Sequence, residues 1–127
     1  MYSEQVLDHF QHPRNAGDLA DADAVAEIEN PACGDVLRLA ARIEDGKLMQ
    51  ARFLARGCVA AVAASSALTE LLTGKTLDEA EAVTREQILS RLGSLPAESM
   101  HATHLAIDAA RALVTRLRAK VRQPAAT

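Results

Sequence analysis

The chain reads as an α+β protein: a small antiparallel sheet of about three strands packed against several helices, with a long helix at the C-terminal end. Three observations predict this class. A turn signal, Glu44-Asp45-Gly46-Lys47, separates two runs of imperfect apolar alternation, which marks a hairpin. A small-residue run, Val59 to Ser66, follows Gly57-Cys58 and suits a helix lying close against a sheet. From about Glu98 to Arg122, apolar residues recur at helical spacing. At 127 residues and 49% hydrophobic, the chain fits one domain, residues 1–127, with a real core. That core is aliphatic, because there is no Trp, one Tyr and two Phe.

In order along the chain, Ser3 is a plausible N-cap for a helix over 3–11, whose apolar face is Val6, Leu7 and Phe10. Pro13 ends it, and Arg14-Asn15-Ala16-Gly17 continues as a turn. His9 and His12 read as a surface pair beside the helix end. Residues 18–24 read as loop, and Val25–Glu29 as a short edge strand. Val36–Ile43 and Leu48–Leu54 flank the hairpin turn, with Ala51 and Phe53 sharing a face. The helix after Cys58 ends near Gly74, a credible C-cap residue. Thr76-Leu77-Asp78-Glu79 and Thr84-Arg85-Glu86-Gln87 both match the capping-box pattern and start two short helices. Gly93 and Pro96 break the chain before the last helix, which carries Leu105, Ala109, Ala112, Leu113, Leu117 and Val121. The tail Gln123–Thr127 is expected to fray.

Charge and composition exclude several classes. The net charge of -3 offers no global basic field for nucleic acid. Arg111, Arg116, Arg118, Lys120 and Arg122 form a local basic run, read as the solvated end of a helix, with docking of an acidic partner as the sharper alternative. Two cysteines make no disulfide framework. The N-terminus, Met1-Tyr2-Ser3-Glu4-Gln5, lacks the basic and then apolar pattern of a signal peptide, and no apolar run is long enough to span a membrane. A cytoplasmic location is the expectation. No nucleophile with a base partner and no glycine-rich phosphate loop argue for an enzyme.

The chemistry collects in a few residues at element ends. Cys33-Gly34-Asp35 places a thiol and a carboxylate two residues apart, with a glycine that lets both turn to one point. Cys58 falls where a strand meets a helix, and a helix N-terminus is expected to lower its thiol pKa. His101 opens the last helix. Cys33, Asp35, Cys58 and His101 together supply the four ligands that Zn²⁺ takes, or part of the ligand set of an iron–sulfur cluster. Spacing alone leaves both open.

Further pieces of sequence carry a resemblance over nearly the whole chain. They include Tyr2-Ser3-Glu4, Asp8-His9-Phe10, Pro13-Arg14-Asn15-Ala16-Gly17, Pro31-Ala32-Cys33-Gly34-Asp35-Val36 and Ala51-Arg52-Phe53. Gly57-Cys58 with Ala63-Ala64-Ser65-Ser66, Gly74-Lys75-Thr76-Leu77-Asp78-Glu79-Ala80, and His101 with Leu105-Ala106 and Asp108-Ala109 complete the set. In this order they resemble the IscU/NifU N-terminal-type scaffolds of iron–sulfur cluster assembly. The resemblance implies a SufE/NifU-like α+β scaffold, not an enzyme. Such a scaffold takes sulfide from a cysteine desulfurase together with iron, builds a [2Fe–2S] cluster and passes it to acceptor apo-proteins. By position it implies Cys33, Cys58 and His101 as ligands of iron or the cluster, Asp35 as a labile ligand, and zinc as an alternative occupant.

The chain departs from the family at the residue after His101, where a third cysteine is replaced by Ala102. A methyl group cannot accept persulfide sulfur. The run Leu95-Pro96-Ala97-Glu98-Ser99 lacks the second proline and the lysine of the family's chaperone-recognition stretch, which puts docking of a specialised DnaK-type chaperone in doubt. The long insertion of SufU-type sulfur-transfer proteins is absent between Cys58 and His101. His104 could share a helix face with His101 and act as a replacement donor, although a solvent-facing role is the simpler reading. Three functions follow: a divergent scaffold, a zinc-binding relative with a structural, regulatory or sulfur-acceptor role toward the desulfurase, and a minority sulfurtransferase reading.

Overall fold

The structure, a computed structural model, describes residues 2–31 and 34–122, without the side chain of Arg122. The expected fraying of Gln123–Thr127 lies outside those residues. Helix α1 (Glu4–Gln11) is followed by strands β1 (Ala24–Glu29), β2 (Val36–Glu44) and β3 (Lys47–Arg56), then helices α2 (Val59–Leu72), α3 (Leu77–Glu81) and α4 (Arg85–Leu92). A single 3₁₀ turn, Ala97–Ser99, precedes the long helix α5 (His101–Arg122). The predicted α+β class is the one observed. Among the described residues, no helix is long and apolar enough to cross a membrane.

The sheet is antiparallel in the order β1-β2-β3. Leu37, Leu39 and Ala41 of β2, Ala51 and Phe53 of β3 and Ala26 of β1 are buried on one face, toward α2 and α5. Alternation breaks once. Ile43 pairs with Leu48 but Arg42 pairs with Gln50, so Met49 is an extra residue in β3. The bulge explains why Leu48 and Ala51, of opposite parity, are both buried. It also moves every later pair by one, which ends the ladder at Val36 opposite Arg56 and carries Asp35 to the level of Gly57.

Helix α2 is rich in small and apolar residues, and every residue in it except Val59, Val62 and Glu70 is buried. Its alanines and serines let β3 approach from one side and α1, α4 and α5 from the others. Both predicted capping boxes form, Thr76 with Glu79 and Thr84 with Gln87. Ser3 caps α1 as expected, accepting from the Val6 N–H at 3.1 Å.

The face of α1 differs from the one predicted. Val6 and His9 are buried, whereas Leu7 and Phe10 are each 40% exposed. The side of α2 that meets α1 is polar, so a histidine fits where a phenylalanine was expected. His9 Nδ1 lies 2.8 Å from Ser66 Oγ, which corrects the reading of His9 as a surface residue. The basic run of α5 is also partly spent within the fold. Arg118 pairs with Asp78 and Glu81, and Lys120 reaches Asp23 at 2.8 Å. Leu105, Ala109, Leu113 and Leu117 are buried as predicted, while Val121 is exposed.

Candidate metal centre

Three segments meet where the β2–β3 ladder ends and α2 and α5 begin. Strands β1 and β2 are joined by a tight connection in which the Asn30 N–H donates to the Asp35 carbonyl at 2.8 Å and the Gly34 N–H to the Asn30 carbonyl at 2.7 Å. Gly34 adopts φ +76, which a glycine accommodates without strain. Asp35, at the end of this connection, is 5% exposed. Cys33 lies outside the described residues. Cys58 is the N-cap of α2, but its side chain makes no capping hydrogen bond and turns to Asp35 instead. His101 opens α5, and its Nδ1 faces the Glu98 carbonyl at 3.1 Å. Such a contact holds an imidazole in one orientation and leaves Nε2 for a second partner.

The three side chains converge. Asp35 Oδ2 is 3.4 Å from Cys58 Sγ and 3.3 Å from His101 Nε2, and Sγ and Nε2 are 3.9 Å apart. A tetrahedral ion with ligand bonds of about 2.0–2.3 Å has ligand–ligand edges of about 3.3–3.8 Å. One face of such a tetrahedron is therefore already laid out. Its sulfur, nitrogen and oxygen donors are of the types used for zinc and for divalent iron. Asp35 is buried, while Cys58 and His101 are half-buried.

Burial pushes the Cys58 thiol above its ordinary value, and the adjacent Asp35 carboxylate adds to the rise. The backbone N–H groups of Ala61 and Ala60 pull the other way. The expectation of a lowered thiol pKa at the helix N-terminus is thus reversed, because desolvation outweighs the amide contacts.

The remaining sequence candidates go elsewhere. Ala102 is 1% exposed and packs in the apolar core. His104 is exposed and lines a separate groove with Asp108, Arg111 and Glu81, so it does not join the three donors. Sequence reasoning missed two contributors. The Glu98 carbonyl acts through its backbone and leaves no signal in residue identity. Gly57 was visible only as part of a motif, and its contact with Asp35 depends on the bulge at Met49.

A three-stranded antiparallel sheet backed by helices, with a thiol, an imidazole and a carboxylate gathered at the end of one hairpin, defines a small α+β protein with a candidate mixed-donor metal site. Residues 1–124 match the family described as the NifU-like N terminal domain, and the chain belongs to that family. It is 45% identical over 111 residues to the iron–sulfur cluster assembly scaffold protein IscU 1 of Archaeoglobus fulgidus, covering 87% of this chain and 72% of the relative. It is 40% identical over 123 residues to the iron–sulfur cluster assembly scaffold protein IscU of Escherichia coli (strain K12), covering 94% of this chain and 95% of the relative. The crystal structure of a nitrogen-fixing NifU-like protein (N-terminal) from Brucella abortus superposes with a TM-score of 0.75 at 21% identity, over 93% of this chain and 94% of that one, and shares the fold.

Proposed function

We infer that this chain is an iron–sulfur cluster assembly scaffold, a carrier and not an enzyme, whose cargo is iron or a [2Fe–2S] cluster. The observation that carries the reading is the triangle of Asp35, Cys58 and His101, at ligand-edge distances in a member of this family. Cys33, Asp35, Cys58 and His101 are proposed as the cargo's ligands, within a single scaffold domain. Cys33 enters by its place in the sequence, two residues before Asp35. Thiolate and imidazole suit iron in a cluster, whereas a carboxylate oxygen is a harder and more readily exchanged donor. Asp35 is accordingly the labile member, the group whose exchange lets the cargo leave. A cysteine desulfurase supplies the sulfur and acceptor apo-proteins receive the product, both reaching the half-buried Cys58 and His101. The proposed setting is the cytoplasm.

Zinc would satisfy the same donors and is the competing occupant, although the relatives' names favour the cluster. Anaerobic reconstitution with ferrous iron, sulfide and a desulfurase separates the two. The scaffold reading expects visible sulfur-to-iron charge-transfer absorption that is lost in Cys58→Ala and in His101→Ala. A colourless chain that retains stoichiometric zinc through the same treatment would overturn it.

A further inference from the structure

The two oxygens of the Asp35 carboxylate have different surroundings, and the difference is made by a residue that is not a ligand. Oδ2 faces Cys58 Sγ and His101 Nε2 at 3.4 and 3.3 Å. Oδ1 points the other way, into the place where a side chain at position 57 would stand. A Cβ built on Gly57 would lie 2.2 Å from Oδ1, 2.5 Å from Cγ and 3.0 Å from Cβ of Asp35. No such contact is tolerated, and Asp35 is 5% exposed, so its carboxylate has little room to step aside. Gly57 also adopts φ +148, a backbone region that side chains disfavour.

We infer that Gly57 is the positioning residue for Asp35: its missing side chain forms the recess that seats Oδ1 and so presents Oδ2 alone to the Cys58–His101 pair. Asp35 is then a one-oxygen donor held from behind. The recess depends on register, because the extra residue Met49 brings Gly57 rather than Arg56 to the level of Asp35. A longer side chain at position 57 would fill the seat and drive the carboxylate off the two other donors. This inference rests on the metal-site reading for its consequence, but not for its geometry.

The test separates the two by a double-mutant cycle on the full chain with Gly57→Ala, Asp35→Ala and the pair combined. Thermal unfolding of the metal-free proteins comes first. Strain from positive φ at position 57 and the 3.0 Å approach to the Cβ of residue 35 are the same in either background, whereas the clash with the carboxylate exists only when Asp35 is present. Gly57→Ala is expected to lower Tm by roughly 10 °C alone and by less than about half of that in the Asp35→Ala background. An equal drop in both backgrounds would overturn the inference, as would no drop at all.

Titration with cobalt(II), read by its thiolate charge-transfer band, then asks what the seat does for binding. Gly57→Ala and Asp35→Ala are each expected to weaken cobalt by about tenfold, and the combined variant by no more than Asp35→Ala alone. Losses that multiply would contradict positioning through Asp35. If Gly57→Ala unfolds outright, the combined variant is expected to recover a folded chain, because the carboxylate that the new Cβ would strike is gone, and a combined variant that unfolds equally would overturn the inference. A wild-type chain that takes up neither cobalt nor iron would sink the proposed function while leaving the thermal cycle intact.

Discussion

Two histidines touch α2 in this fold, and they have opposite fates. His9 packs in the seam between α1 and α2, with Nδ1 at 2.8 Å from Ser66 Oγ and Nε2 at 3.6 Å from Glu70. Both ring nitrogens face partners inside the protein, and 6% of the residue is exposed. His101 meets the other end of α2 at Cys58. One of its nitrogens is held by the Glu98 carbonyl, and the other faces the Asp35 carboxylate and the Cys58 thiol. The first histidine completes a polar seam that fastens a helix. The second is fastened by half of its ring and turns the remainder to Asp35 and Cys58 at the candidate metal site. Which nitrogens the fold occupies, rather than the residue type, separates the two roles.

The largest expected difference between these regions lies in metal binding. Replacing Cys58 or His101 by Ala should weaken iron or cobalt by at least about 100-fold, while the Tm of the metal-free chain moves by only a few degrees. Replacing His9 by Ala should do the reverse. It deletes a buried hydrogen bond and leaves a hole against Ser66, which costs about 2 kcal/mol and leaves cobalt affinity within about twofold. Chemical denaturation and cobalt titration on the same samples would show whether the effects cross over in this way. If both histidine variants lost both properties together, the distinction drawn here would fail.

Acid sharpens the same contrast. Burial is the largest cause holding the His9 pKa below its ordinary value of 6.5, with Arg14 and Arg91 pushing in the same direction and Glu70 and Asp8 opposing. The folded chain therefore binds this proton less readily than the unfolded chain. Its contribution to stability is fully present above about pH 6.5 and is lost as pH falls toward the lowered folded-state value. Tm measured from about pH 8 down to about pH 5 on metal-free protein should decline more steeply for the wild type than for His9→Gln. Parallel curves would remove His9 from the account.

The smallest effect belongs to a position in neither region. Thr84 caps α4 through a reciprocal pair with Gln87, and both contacts are exposed. Thr84→Ala should cost about 1 kcal/mol in denaturant unfolding and leave metal binding unchanged.

Much of this organisation could be read from residue order, and what escaped has physical causes. The capping boxes at Thr76 and Thr84 are local in sequence and form as written. The hairpin follows from its turn, with Asp45 and Gly46 both at positive φ. The bulge at Met49 was legible only as a phase change, since Leu48 and Ala51 cannot both face one side of a regular strand. The side of α1 that faces inward depends on what α2 presents, and Ser66 is 57 residues beyond His9. The raised Cys58 thiol likewise reflects burial and a neighbour from β2, neither of which a helix-terminus rule contains. Asp35, Cys58 and His101 could be singled out by residue type, but their mutual distances belong to the fold.

If Asp35, Cys58 and His101 close on one metal-bearing cargo, the chain carries metal and loses it when Cys58 is replaced. Metal content by mass spectrometry, on freshly purified wild type beside Cys58→Ala, tests it most directly. The expected result is about one metal ion or one cluster per chain in the wild type, with iron predominating after anaerobic reconstitution, and a near-complete loss in the variant. Equal metal in both samples, or none in either, would contradict it.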